Sequence, residues 1–531
     1  MPVYGDRVEP KPREITDFIA HSLHCDAVRL AIISWALHRI ADPFSCPYIR
    51  NIIVNRIIPL VLAIALFMEQ MDSNVISTSL PAIAADIGTS PIALKLALTA
   101  YLVALAVFIP VSGWMADRFG AKNVFRAAIA VFVVGSVACA ASNSLTAFVI
   151  ARFLQGMGGA MMTPVGRLVL IRSTPRSELV SAMAWLTIPA MVGPLVGPPV
   201  GGFITTFLTW HWIFLINVPI GFVGIWFASR FLPDNDERIV KRLDWTGFFL
   251  SGIAMSGVVF GLSVVSLPAL PPAVGFTTLA IGVVCTVLYL QHAKRVDDPL
   301  LNLKLFDNQV FRAAVIGGSI FRFGIGAIPF LLPLMFQLGF GLTPFQSGMM
   351  TFVSAIGAIS MKFGAKRIFV LVGFRRALMA GSLISACFIA VNGLFTPTTP
   401  YWIIIGFLLV GGFARSLFFT GVNALAFAEI PDEKTSQATP ITAVAQQVSI
   451  AIGVALAGGI LEISTSLRGA HLELVDFHIG FFVVATVSAL AFLWFARLAP
   501  DAGKELAAPT VKTHRSEEHA TIEAASTSTG K

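Results

Sequence analysis

The chain has 531 residues, of which 56% are apolar and only 12% charged. A soluble globular domain carries about twice that charged share, so the soluble classes are excluded. The formal net charge of +8 would suit a polyanionic partner if it were clustered. It is instead spread over alternate loops, which excludes nucleic acid.

Residues 1–55 read as a cytoplasmic N-terminal extension. They hold a charged, Pro-rich run (Glu9 to Arg13) and a modestly apolar stretch from Ala27 to Leu37. That stretch is too short to span and has no small-residue cleavage site after it, so it makes a poor signal peptide. A surface-lying amphipathic helix, a disordered extension and a start placed too far upstream stay open as readings.

A membrane span needs about 20 apolar residues. Fourteen stretches are predicted: 57–79, 94–114, 124–142, 146–170, 180–206, 212–231, 246–265, 274–291, 312–338, 346–362, 377–393, 401–427, 441–461 and 478–497. The first carries Glu69 and Asp72, three residues apart and so on one helix face. An acid inside a span marks a functional site by default, and two together suit a group that loads and releases protons. The alternative is a hydrogen-bonded anchor to a neighbouring helix.

After the second stretch comes the turn Gly113-Trp-Met-Ala-Asp117-Arg118-Phe-Gly120-Ala-Lys122. Gly113 and Gly120 permit a tight turn and close helix approach, while Asp117, Arg118 and Lys122 set charges at the membrane face. That combination suits a joint that closes in one state and opens in another. The fourth stretch holds Arg152, Gln155, Gly156, Gly158 and Gly159, and further along Arg167. Small residues let helices approach, and an intramembrane Arg faces a partner or an aqueous cavity unless it snorkels out. The fifth holds Gly193, Pro194, Gly197, Pro198, Pro199, Gly201 and Gly202, tolerated where neighbouring helices re-satisfy the backbone. A kinked, closely packed helix is predicted there. Trp210-His211-Trp212 then opens the sixth, with tryptophans suited to an interfacial belt and Asn217 placed to bond across helices.

A long charged loop from Arg230 to Asp244, two further stretches and a second charged loop divide the chain. The predicted organisation is a six-helix bundle at 56–231, loops and two linking helices at 232–310, a second six-helix bundle at 311–498 and a disordered cytoplasmic tail at 499–531. Gly373-Phe-Arg375-Arg376 falls where the 113–122 turn falls in the first bundle, a weak echo of two related halves. The second half adds Arg322, Lys362, Arg415, Asn423, Gln446 and Gln447 inside or near apolar stretches. Arg322, Arg415, Arg167, Asn423 and Gln446 are candidate cavity residues. Their cations either face an anionic substrate or sit in compensated pairs.

Basic residues cluster in alternate loops: Arg118, Lys122 and Arg126; Arg172 and Arg176; Arg230, Arg238, Lys241 and Arg242; Lys294, Arg295 and Lys304; Lys366, Arg367, Arg375 and Arg376. The intervening loops are nearly free of them, Lys95 and Arg468 excepted. This is the positive-inside pattern, and with an even number of spans it places both termini in the cytoplasm. Five scattered cysteines form no CxxC pair, so no disulfide framework or metal site is expected.

Taken in order, these runs resemble the major facilitator superfamily. Gly113, Asp117, Arg118, Gly120 and Lys122 resemble its cytoplasmic-loop motif, and Arg152 to Gly159 its helix 4 motif. Gly193 to Gly202 resembles the helix 5 motif typical of antiporters. The run Trp210-His-Trp-x-Phe-x-x-Asn217-x-Pro219 with fourteen spans resembles the drug:proton antiporter branch of EmrB/QacA type. The resemblance covers about 57–497; Ala121 and His211 depart from it, standing where basic residues are common. It implies an all-α major facilitator fold in a bacterial inner membrane, with two six-helix bundles and two linking helices rocking about a central cavity. It also implies a monomer working with membrane lipid, exporting small amphipathic drugs or metabolites in exchange for protons, with no other cofactor. Some fourteen-helix relatives work with a periplasmic adaptor. Asp72 matches the family's acidic position in helix 1 and is favoured over Glu69 as proton carrier, with Arg152 beside them.

Two other readings compete. The intramembrane arginines motivate an exporter of a hydrophilic organic anion on the same fold. An intramembrane enzyme is remote: His211, His292, His471 and His478 lie in loops or near span ends, and no HExxH or GxSxG run stands at membrane depth.

Overall fold

The computed structural model describes residues 57–174, 179–233, 243–265, 267, 271–469, 471–500 and 502–503. The expected N-terminal extension, Arg176, the loop cations Arg238, Lys241 and Arg242, and nearly all of the expected tail lie outside them. The described chain is all helix and turn. Its long helices are α1 (Ile58–Val75), α2 (Lys95–Phe119), α3 (Ala121–Ala140), α4 (Leu145–Ser173), α5 (Leu179–Phe207), α6 (Asn217–Phe231) and α7 (Trp245–Val265). They continue as α8 (Pro272–Arg295), α9 (Gln309–Leu334), α10 (Pro344–Val372), α11 (Phe374–Asn392), α12 (Tyr401–Leu425), α13 (Asp432–Arg468) and α14 (Leu474–Ala489).

Among the described residues, 13 helices are long and apolar enough to cross a membrane. α5 adds a shorter apolar run, Met191–Phe207. The predicted boundaries differ most at α10 and α13, which run past 362 and begin before 441. Apolar length marks only the part of a helix that needs lipid, and a helix continues into water wherever its sequence permits.

Local signals explain the ends. Proline enters the first turn of α1, α8 and α10, where its missing N–H would lack a partner anyway. The Asn308 side chain accepts from the Phe311 N–H to start α9, and Thr343 with Gln346 forms a capping box on α10. Gly120 and Gly373 break the chain between α2 and α3 and between α10 and α11, at φ of 86° and 79°. Those positive angles favour glycine. The two echoed turns therefore have the same backbone solution.

In packing, α1 lies on α5, α4 on both α2 and α3, α9 on α13, and α12 on α10 and α11. α7 and α8 pair with one another, and α7 also rests on α2 and α13. Two seams join early helices to late ones: α5 against α10 and α2 against α13.

The glycines of α5 set its seams. A Cβ on Gly193 would lie 2.9 Å from Gln70 Cβ, and one on Gly201 would lie 2.3 Å from the Val75 carbonyl oxygen. A Cβ on Gly202 would lie 2.4 Å from the Pro344 carbonyl oxygen, on α10. Contact at backbone range is what small residues provide in a membrane, where apolar burial gives no driving force between helices. Gly201→Val is expected to lose the monodisperse size-exclusion peak of the purified protein, whereas Gly406→Ala, where a Cβ would meet nothing within 4 Å, keeps it.

Candidate functional site

The helix 4 glycines build the site. A Cβ on Gly156 would lie 2.7 Å from the Tyr101 carbonyl oxygen on α2, and one on Gly158 would lie 2.5 Å from the Phe132 nitrogen on α3. On α3, a Cβ on Gly135 would lie 2.6 Å from the Gln155 backbone. With α2, α3 and α4 this close, polar side chains of short reach can meet.

They meet around Asp72. Its Oδ2 accepts from Arg152 Nη1 at 2.8 Å, and its Oδ1 accepts from Gln155 Nε2 at 2.8 Å and Asn217 Nδ2 at 2.7 Å. Arg152 Nη1 also donates to Gln155 Oε1 at 2.6 Å, and Gln155 Nε2 to Ser136 Oγ at 2.8 Å. The Arg152 guanidinium lies 4.3 Å from the centroid of the Tyr101 ring, which offers it a cation–π face. Asp72, Ser136, Gln155 and Asn217 are completely buried and Arg152 is 1% exposed. Arg152 therefore does not snorkel; its charge is answered inside the protein. A buried ion pair persists only with such geometry, because each charge has lost its hydration.

Glu69 sits one turn before Asp72 and is also buried. Its Oε2 accepts from Gln70 Nε2 and Thr163 Oγ1, each at 3.1 Å. No cation stands within ion-pair distance of it among the described residues. Arg167 follows Thr163 by one turn of α4 and is exposed.

The late cations are arranged differently. Arg322 on α9 donates to Asn423 Oδ1 at 2.8 Å and lies 5.0 Å from the Phe419 ring centroid. Arg415 on α12 donates to Ser354 Oγ at 2.5 Å. Neither has a carboxylate partner among the described residues. Lys362 Nζ reaches Met191 Sδ at 3.3 Å across the α5–α10 seam, and Gln446 is half-buried on α13.

The exceptions to the charge alternation are neutralised. Lys95 Nζ meets Glu462 Oε2 at 2.6 Å across the α2–α13 seam, with Lys95 fully buried and Glu462 nearly so. Arg468 meets Glu473 at 2.7 Å and Asp476 at 2.5 Å. These cations report local pairs rather than a loop charge. The Lys95–Glu462 pair lies at the membrane end opposite the 113–122 turn. At the same end Gln337 Nε2 donates to the Thr78 carbonyl at 2.9 Å, and the Phe345 N–H to Thr206 Oγ1 at 3.0 Å.

At the basic end, Asp117 pairs with Arg172 at 2.7 Å, linking α2 to the end of α4. Arg118 packs over Trp114 at 5.6 Å instead. One expectation needs correction: a Cβ on Gly113 would meet nothing within 4 Å, so close helix approach is not its role in this conformation. Trp210 also differs from the expected interfacial residue. It is 4% exposed and donates to Asp86 Oδ2 at 3.0 Å, while Trp212 faces outward. Among the described residues no group of 3 or more His, Cys, Asp or Glu side chains could hold a metal ion.

Sequence reasoning found Asp72, Glu69, Arg152, Gln155 and Asn217. It missed Ser136, Tyr101 and Glu462, the last an acid just past the end of the predicted stretch 441–461, and it named Arg172 only as a loop charge.

A family model described as Major Facilitator Superfamily matches residues 62–368 and 314–526. The chain is 35% identical over 451 residues to the "Putative multidrug resistance protein MdtD" of Pectobacterium atrosepticum, covering 84% of this chain and 96% of that one. It is 36% identical over 457 residues to the protein of the same name from Cronobacter sakazakii, covering 84% and 95%. Among solved structures it resembles a D-xylose–proton symporter, with TM-score 0.62 at 16% identity over 84% of this chain and 98% of that one. A peptide transporter of the POT family, PepTSo, gives TM-score 0.61 at 15% identity over 83% and 97%. At those identities the two structures speak for the fold alone. The chain is a multi-pass membrane protein and a secondary transporter, and it belongs to the major facilitator superfamily.

Proposed function

We propose that the chain exports small amphipathic molecules, drugs or metabolites, across a bacterial inner membrane in exchange for protons. The observation that carries the reading is a buried Asp72–Arg152 pair one turn from Glu69, a buried carboxylate with no ion-pair partner among the described residues. The names of the MdtD relatives supply the cargo class. The helices group as two six-helix bundles, 56–231 and 311–498, with α7 and α8 linking them at 232–310 and both termini in the cytoplasm. Lipid surrounds the helices, and the working unit is a monomer.

The proton-coupling set is Glu69, Asp72 and Arg152. Sequence favours Asp72 as the carrier, but its two oxygens already accept from Arg152, Gln155 and Asn217. Among the described residues Glu69 accepts only from neutral donors, so a proton there breaks no ion pair. Glu69 loads and releases the proton, while Asp72 and Arg152 are the charges that respond to it. In alternating access the α2–α13 and α5–α10 seams seal the outer end here, through Lys95–Glu462 and the glycine contacts of α5. The Asp117–Arg172 pair and the rest of the 113–122 turn act at the cytoplasmic gate.

The test is a substrate screen in everted membrane vesicles under an imposed pH gradient. Accumulation of an amphipathic compound that collapses with the gradient is the expected result; no movement of any solute in purified, reconstituted protein would overturn the reading. Arg322, without a carboxylate partner among the described residues, favours a second reading in which the cargo is an organic anion. Arg322→Ala then loses anion transport; loss of cation export with anion transport unaffected would remove that reading.

A further inference from the structure

Between α9, α10, α11 and α12 lies a narrow slot lined by Ser354, Ser385, Phe388, Asn392, Phe407 and Arg415, among others. Its walls are aliphatic and aromatic, with the Phe388 and Phe407 ring centroids 5.7 Å apart. Two features of the lining are out of balance. The Ser385 hydroxyl is buried, with the residue 1% exposed, and has no hydrogen-bond partner among the described residues. Arg415 has one hydrogen bond, to Ser354 Oγ, and no carboxylate among the described residues.

Arg152, also in a junction of several helices, is answered by Asp72; Arg415 is answered by nothing charged among the described residues. A cation at membrane depth is expensive unless neutralised, and a buried hydroxyl without a partner costs free energy as well. A trapped water could satisfy the hydroxyl but leaves the charge uncompensated. The slot has somewhat more room than one water needs, too little for the body of an organic substrate and of the order that a halide ion needs.

We propose that this slot binds a small monovalent anion, chloride being the probe of choice, held by the Arg415 guanidinium and the hydroxyls of Ser385 and Ser354. The anion is a structural counter-ion that completes the packing of α10, α11 and α12. It is independent of the proton-coupling set, so either proposal can fail without the other.

The experiment is thermal unfolding of the detergent-purified protein in sodium chloride against sodium gluconate at fixed ionic strength. Chloride should raise the midpoint saturably, as a ligand of the folded state does. Ser385→Ala should weaken the apparent chloride affinity about tenfold, the loss of about 1.4 kcal/mol, and Arg415→Gln should abolish the response. If Arg415→Gln does not fold, anomalous scattering from bromide-soaked wild-type crystals reads the same site, with a peak beside Arg415 expected. Equal midpoints in the two salts would overturn the proposal and leave a bridging water in the slot. Protection by a bulky organic anion but not by chloride would also overturn it, making the slot a substrate subsite.

Discussion

Arg152→Ala is expected to destabilise the purified protein by about 3–5 kcal/mol, the cost of leaving a buried charge without its partner. The substitution leaves Asp72 fully buried with only Gln155 and Asn217 donating to it. It also removes the hydrogen bond to Gln155 and the cation stacked on Tyr101. Thermal unfolding in detergent measures the loss. Asp72→Asn combined with Arg152→Ala should be less destabilised than the sum of the two single variants, because removing both charges leaves neither stranded. Additive losses would mean that the pair is not the element holding α1 to α4.

What the sequence disclosed about this site follows the physics of the membrane interior. Acids, amides and an arginine inside apolar stretches are costly enough that each must have a reason, so Glu69, Asp72, Arg152, Gln155 and Asn217 stood out by type and depth alone. The glycine-rich runs were legible for the same kind of reason, since few other sequences put helices at backbone contact. Partners were not legible. Lys95 looked like a misplaced loop charge until Glu462, 367 residues away, met it across a seam. Ser136 and Tyr101 are ordinary helix residues in sequence and acquire roles only because Gly135 and Gly156 bring their helices to α4. Asp117 has Arg118 next to it in the chain, yet pairs with Arg172, because a helix turns adjacent side chains apart and brings another helix end within reach.

The fold was legible to the same depth. Apolar length and alternating loop charge gave the helices and their order, and the positive φ at Gly120 and Gly373 supports the faint echo between the halves. Length and charge carry no information about which helices touch. That depended on where α5 and α4 place their glycines, a pattern that names close contact without naming the neighbour.

The second large effect concerns the proton. Glu69→Gln preserves the shape of the side chain and its hydrogen bond from Thr163 while removing the group that titrates, so the protein should fold and bind cargo. It should still exchange cargo down a concentration gradient, which needs no net proton movement if the coupling site is permanently neutral. Asp72→Asn, in contrast, strands Arg152 and should impair both folding and transport. The direct test is reconstituted protein in liposomes with a pH-sensitive dye inside, assayed for cargo-dependent proton flux. The expected result is robust flux for wild type and none for Glu69→Gln, which retains counterflow of cargo. Proton flux in Glu69→Gln equal to wild type would contradict it, and would move the proton to Asp72 or away from α1 altogether.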